Sequence, residues 1–366
     1  MKKILLFTAL MLLFILDSFP QATCTTGALE VSVSEYGRIR LFTPDGTRHL
    51  QRASILVGTS PTEVFDYTND AEAYEPTVLV SNPTLSDYEI YGAYDNAYSG
   101  LPPDVIVGLN AYGWNNGCYT IVKFHIKNDD SIILDAIAGL DIIPELNQAY
   151  GFDSVSYNST LGVIRFHRGT DENMGIKLLS ASLTSLYSFE WYDAYEADTS
   201  YWKWMNHGSL QPLYASNTAD GPVTITSQNP VTIGPGESFD VYYALALGVD
   251  EQTMSSNIAQ AQQKYEDLIT AINDHNPSAN EFSLGQNCPN PVKQSTVISY
   301  RLPEDGFVSL KVCNVIGNEV ATLVNSDQTK GSHSIQYNAK DLSSGVYYYT
   351  IRFNDQTRTN KMFVVK

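Results

Sequence analysis

Cysteine, tryptophan and basic side chains are all scarce in this chain: 366 residues carry four cysteines, four tryptophans and 22 lysines and arginines against 40 aspartates and glutamates. So few cations, with a formal charge of -18, exclude nucleic acid and anionic membrane surfaces as partners, because both would be repelled before contact. Long apolar runs are missing too. The longest, from Ile4 to Leu16 behind Lys2 and Lys3, is shorter than the roughly 20 residues a spanning helix needs. Its basic start, apolar middle and polar break read as a signal peptide over residues 1–22, with cleavage after Ala22. Local catalytic motifs are absent as well: there is no His-Glu-x-x-His, no Gly-x-Ser-x-Gly elbow and no glycine-rich phosphate loop. The scattered histidines show no zinc spacing, so no metal ligand set is assigned.

What the chain does have is tyrosine, 24 in all, and a rhythm of short strands and turns. Strands are expected at 29–33, 37–42, 54–58, 118–127, 132–141 and 161–167. In the fourth, Lys123, His125 and Lys127 alternate with Val122, Phe124 and Ile126, a period of two that buries one face and wets the other. Asp45-Gly46 and Asn115-Asn116-Gly117 supply turn residues that tolerate positive φ, and Pro235-Gly236 suits the centre of a type II turn. Further strands at 221–225, 231–238 and 241–248 precede a helix. Asp250 can cap it, and Met254, Ile258, Ala261, Tyr265, Leu268 and Ile272 form one apolar stripe to pack on the sandwich.

The fold class is therefore all-β. A large, supersandwich-like N-terminal β-sandwich over 23–272 ends in one amphipathic helix. An aperiodic linker at 273–281 leads to a small Ig-like β-sandwich over 282–366. Charge divides at the same joint. Residues 24–281 hold 11 lysines and arginines against 33 aspartates and glutamates, whereas from Phe282 onward the cations lead by 9 to 6.

The last segment opens with Gln286-Asn287-Cys288-Pro289-Asn290-Pro291, passes Val315-Ile316-Gly317-Asn318 and Leu342-Ser343-Ser344-Gly345-Val346-Tyr347, and closes on Lys361-Met362-Phe363-Val364-Val365-Lys366. It resembles the C-terminal sorting domain (type A) of the type IX secretion system of Bacteroidetes and their relatives. The residues carrying the resemblance are Asn287, Pro289, Asn290, Pro291, Gly317, Leu342, Gly345, Tyr347, Lys361 and Lys366. It implies passage through the periplasm, recognition by the type IX machinery at the outer membrane, and a destination that is secreted or on the outer cell surface. Proteins of this kind are released or linked to surface polysaccharide. Where related domains carry tyrosines, this one has Cys288 and Cys313. Cysteine count alone leaves the pairing open. That shared departure from the family implies a Cys288–Cys313 disulfide, with Cys24 and Cys118 as the second pair, against the alternative of four buried thiols. The body resembles, more patchily, a β-rich domain of large secreted proteins that carry the same tail, a likeness that brings no established activity.

Trp191, Tyr195, Glu196, Tyr201, Trp202 and Trp204 combine flat apolar faces with carboxylates, the chemistry that grips sugar rings and their hydroxyls. Paired carboxylates also serve glycoside hydrolysis. Three readings stand side by side: packing between sheets, glycan binding, and catalysis; no catalytic residue is assigned. Asn128-Asp129-Asp130 and the acids Asp66, Asp70, Glu72 and Glu75 offer hard oxygens to calcium without EF-hand spacing; in a chain of this charge such acidic loops are usually just solvated. No other cofactor is expected. The expectation is a secreted or cell-surface protein whose body is a non-catalytic binding or structural module, with extracellular glycan as its candidate ligand. The alternative is a secreted carbohydrate-active hydrolase using Asp or Glu.

Overall fold

The computed structural model describes residues 21–169, 173–275, 282–285, 287, 290, 292–354 and 356–366. Contacts divide the chain into two compact units, between Leu268 and Ile269. The apolar run of the expected signal peptide and residues 276–281 of the expected linker lie outside the described residues.

In the first unit the chain lays down β1 (Gln21–Thr25), β2 (Glu30–Ser34), β3 (Ile39–Phe42), β4 (Arg48–Ser60) and β5 (Glu63–Phe65) in one sheet. The next four strands, β6 (Glu72–Leu79), β7 (Tyr88–Asp95), β8 (Val105–Gly113) and β9 (Tyr119–Asn128), belong to a second. Thereafter it alternates: β10 (Leu134–Pro144) returns to the first sheet, and β11 (Ser154–Asn158), β12 (Val163–His167) and β13 (Asn173–Leu178) to the second. Then come β14 (Leu183–Glu190) in the first, β15 (Leu213–Ala215) in the second, β16 (Pro222–Gln228) and β17 (Val231–Ile233) in the first, and β18 (Ser238–Gly248) in the second. Two 9-stranded sheets result, one running β1-β2-β3-β4-β10-β16-β14 with β5 on β4 and β17 on β10, the other β15-β11-β12-β13-β18-β9-β8-β7-β6.

Strand alternation sets which residues meet. Phe124 of β9 lies between Leu109 of β8 and Val241 of β18, and all three are buried in one core with Ala138, Leu140 and Ile142 of β10 from the other sheet. Period two fails where both faces or neither are covered. β8 is apolar on either side, and β6 is an edge strand with almost no buried residue, so neither gives a clean alternation.

Two helices flank the strands. The expected one, α2 (Glu251–His275), starts where Asp250 Oδ1 accepts the N–H of Thr253 at 2.7 Å. Its Met254, Ile258, Ala261 and Leu268 are buried, and Tyr265 packs on Tyr242 of β18 with ring centroids 5.1 Å apart. The side chain of Ile272 lies outside the described residues. A shorter helix, α1 (Asp198–Met205), falls inside the aromatic segment and was not expected there. It covers the outer face of the first sheet, where Tyr201 and Met205 join Leu56, Val64, Ile137, Phe189, Val223 and Ile225 in a second core. Gly58 makes room for it: a Cβ there would sit 3.2 Å from the Trp202 ring.

The expected Cys24–Cys118 disulfide is not formed; both are thiols. Cys24 points inward from β1, while the Cys118 thiol turns toward the Ala28 carbonyl at 3.5 Å. Burial, with Glu30 nearby, pushes the Cys24 thiol up to about 11, away from reactive thiolate.

In the second unit, β19 (Ser283–Leu284), β20 (Ser295–Leu302) and β23 (Gly331–Asn338) make a 3-stranded sheet. The 4-stranded sheet runs β22 (Glu319–Gln328), β21 (Gly306–Asn314), β24 (Gly345–Phe353), β25 (Gln356–Val364). Phe282, Ile298, Leu310, Tyr349, Ile351 and Met362 share its core. Cys288 lies outside the described residues, and with it the Cys288–Cys313 pairing; Cys313 is half-buried on β21.

Candidate functional site

The aromatic segment is divided by its surroundings. Tyr195 and Tyr201 are buried, and the half-buried Trp202 and Trp204 pack against the same core under α1. Trp204 stacks on Tyr187 at 4.3 Å and on Phe189 at 5.2 Å between centroids. Trp191 and Tyr192 remain exposed.

Beneath this layer lies a buried ionic cluster. Arg52 of β4 donates to Asp141 Oδ2 at 2.6 Å, Glu196 Oε1 at 2.9 Å, Thr68 Oγ1 at 3.1 Å and the Tyr195 hydroxyl. Tyr201 and Tyr195 in turn donate to Asp141 Oδ2, at 2.9 and 3.3 Å. Burial pushes the Asp141 carboxyl up, opposed by the Arg52 charge and the Tyr201 hydrogen bond. For Arg52, burial works against the charge, but Asp141 and its neighbours outweigh it and hold the guanidinium protonated. Glu196, one of the candidate glycan-binding residues, is thus tied to Arg52.

Next to the cluster, the turn after β5 is held by its own acids. Asp66 Oδ1 accepts the N–H groups of Thr68 at 2.6 Å and Asn69 at 2.9 Å, Oδ2 accepts Asn69 Nδ2 at 2.9 Å, and Asp70 Oδ2 accepts the Asp66 N–H at 2.9 Å. Burial pushes the Asp66 carboxyl up to about 7 in spite of these donors. Ser99 hydrogen-bonds Asp70, whose carboxyl burial also raises, and so ties the β7–β8 loop to this turn. Between the two loops, Tyr67, Thr68 and Ala71 face Tyr36 and Tyr98 across a cavity of ≈ 250 Å³. Tyr36 is placed by the turn at Gly37, with φ +85°, where any side chain would run into the Tyr94 ring. The guanidinium of Arg38 lies 5.7 Å from the Tyr67 ring centre. Thr68 Oγ1 also donates to Glu196 Oε1 at 3.3 Å, so the cavity wall and the ionic cluster share a residue.

Of the acids that offered hard oxygens to calcium or a solvated loop, Asp66 and Asp70 accept hydrogen bonds within this turn, while Glu72 and Glu75 stand exposed on β6. Asn128 is buried and donates to the carbonyls of Ile132 and Ile233, at 2.7 and 3.0 Å. Asp129 pairs with Lys127. Among the described residues no three His, Cys, Asp or Glu side chains converge to hold a metal ion. The cavity tyrosines were missed by sequence reasoning. Their positions span three loops, and only Tyr67, set inside the acidic turn, lay in a stretch that had drawn notice.

In the second unit, the described motif residues other than the exposed side chains of Lys361 and Lys366 take part in the fold. The Asn287 N–H donates to the Tyr349 hydroxyl at 2.8 Å, and its side chain to Thr296 at 2.9 Å. Asn290 accepts the Phe363 N–H at 2.8 Å and donates to the Lys361 carbonyl at 3.3 Å. Tyr347 donates to Ser343 O at 3.1 Å, Leu342 packs on the core, and Gly317 turns β21 into β22 with φ +85°. Gly345 opens β24, and the Lys366 N–H reaches Ser344 Oγ at 3.1 Å. Pro289 and Pro291 lie outside the described residues.

Comparison with curated proteins gives no match. Among solved structures, a bacterial glucoamylase complexed with acarbose matches with a TM-score of 0.51 at 11% identity, over 70% of this chain and 36% of that one. The chain thus spans about a third of the glucoamylase's length, and the likeness is one of fold alone. A putative aldose 1-epimerase from Escherichia coli K12 matches with a TM-score of 0.37 at 11% identity, over 62% of this chain and 98% of that one. For a galactose mutarotase-like protein from Lactobacillus casei the values are 0.39 and 9%, over 62% and 100%. Residues 288–366 match the family model described as Secretion system C-terminal sorting domain. The chain therefore carries a type IX sorting domain at its C-terminal end and is a secreted or cell-surface protein.

Proposed function

We propose that the first unit is a non-catalytic saccharide-binding module, which the sorting domain delivers to the cell surface or beyond. The observation that carries this reading is the cavity of ≈ 250 Å³ walled by Tyr36, Tyr67 and Tyr98, with Thr68 beside them. Tyrosine presents a flat apolar face to the C–H side of a sugar ring and a hydroxyl to its polar rim. A space of this size suits one ring rather than a long stretch of polymer.

The neighbouring carboxylates have other duties. A glycosidase needs an acid and a second carboxylate flanking one bond, about 5–9.5 Å apart. Asp141 and Asp66 are both 1% exposed, and Glu196 is paired with Arg52. A glycan array probed with the full chain, run beside a reducing-sugar assay, tests the reading. Binding that is weakened in Tyr67→Ala and Tyr98→Ala, with no product released, is expected. Product release that disappears in Glu196→Gln would contradict it and favour a hydrolase.

A further inference from the structure

A groove in the second unit lies on the outer face of its 4-stranded sheet. Along β21, Val308, Leu310 and Val312 face the core, so Phe307, Ser309, Lys311 and Cys313 face out. On β24, Thr350 and Arg352 do the same between Tyr349, Ile351 and Phe353. Register places Arg352 opposite Ser309 and Thr350 opposite Lys311. Together they line a groove of ≈ 620 Å³.

Two of these side chains are unspent. Phe307 is 52% exposed. Arg352 makes no ion pair among the described residues, whereas Lys311 is bound to Glu319 at 2.7 Å. An unpaired cation on the same groove as an exposed aromatic ring fits a carboxylate carried next to an apolar side chain. The surrounding unit carries an excess of cations, which draws an acidic partner toward this face.

We propose that this groove is the surface by which the type IX export machinery grips the sorting domain, its occupant being an acidic, apolar-tipped segment of that machinery. Recognition chemistry has to be exposed. The described asparagines and Tyr347 of the motif are hydrogen-bonded within the fold, so they shape the domain, and the groove offers the contact.

The test is secretion of the full chain by a bacterium with the type IX system, with extracellular and periplasmic fractions measured. Arg352→Glu and Phe307→Ala are expected to lower extracellular protein at least about tenfold, with accumulation in the periplasm. Arg352→Lys, which keeps the charge, is expected to be secreted like the parent. Because Arg352 points to solvent, thermal unfolding of all forms should coincide. Secretion of Arg352→Glu at the parental level would overturn the proposal, and so would equal retention of the Lys and Glu forms, since charge would then not be what is read.

Discussion

The two units place their polar chemistry in opposite ways. In the first, the candidate site is built on buried titratable groups: Arg52, Asp141 and Asp66 are all inside, each hydrogen-bonded to more than one partner. In the second, the fully buried polar residues among those described are neutral, Asn287 and Thr296, with the Tyr349 hydroxyl bonded to the Asn287 N–H. Buried neutral amides at turns are local devices, and a short motif can encode them. Buried ion clusters are assembled across the fold. That is why the tail declares itself in sequence and the body does not.

Separating the two units is the strongest way to break this contrast. Deleting residues 282–366 should abolish extracellular protein and trap the body in the periplasm, still folded; a truncated form that reached the medium would end the division of labour. Within the body, Arg52→Ala should cost about 3–5 kcal/mol, because it strands the Asp141 carboxylate without its cation. Chemical denaturation should show this loss in the first unit's transition and none in the second's.

Acidity sharpens the contrast further. Burial raises the Asp66 carboxyl from 3.8 in the unfolded chain to about 7 in the folded one, so between these values the folded form holds a proton that the unfolded form has released. Its contribution to stability is complete below the unfolded value and is lost as pH rises through the folded one. Melting temperatures of parent and Asp66→Asn measured across that window should diverge, the parent losing stability more steeply as pH rises. Parallel curves would place Asp66 in contact with water. The smallest effect is expected at Trp191→Ala, within about 0.5 kcal/mol and without change in saccharide binding, because the side chain is exposed and away from the cavity wall.

Much of the architecture could be read from the residues. The alternation of Val122, Phe124 and Ile126 and the stripe from Met254 to Leu268 lie where their periodicity put them. Both-sided burial hid the rest. β4 reads Ala53-Ser54-Ile55-Leu56-Val57 because Ile55 and Val57 face the sandwich core while Leu56 faces the core under α1. The helix itself was masked by Tyr201, Trp202 and Trp204, poor helix formers that are there to cover that outer face. The cavity was least legible of all. Tyr36, Tyr67 and Tyr98 belong to three different loops, and no spacing along the chain brings them together.

The claim that the body binds saccharide through that cavity is tested most directly by titrating the full chain with a glycan selected on the array, comparing the parent with Tyr98→Ala. Tyr98 is 70% exposed, so its removal should leave the melting temperature unchanged. An affinity weakened about tenfold, with the glycan recovered intact, is the predicted result. Equal affinity in the two proteins, or a cleaved glycan, would contradict it.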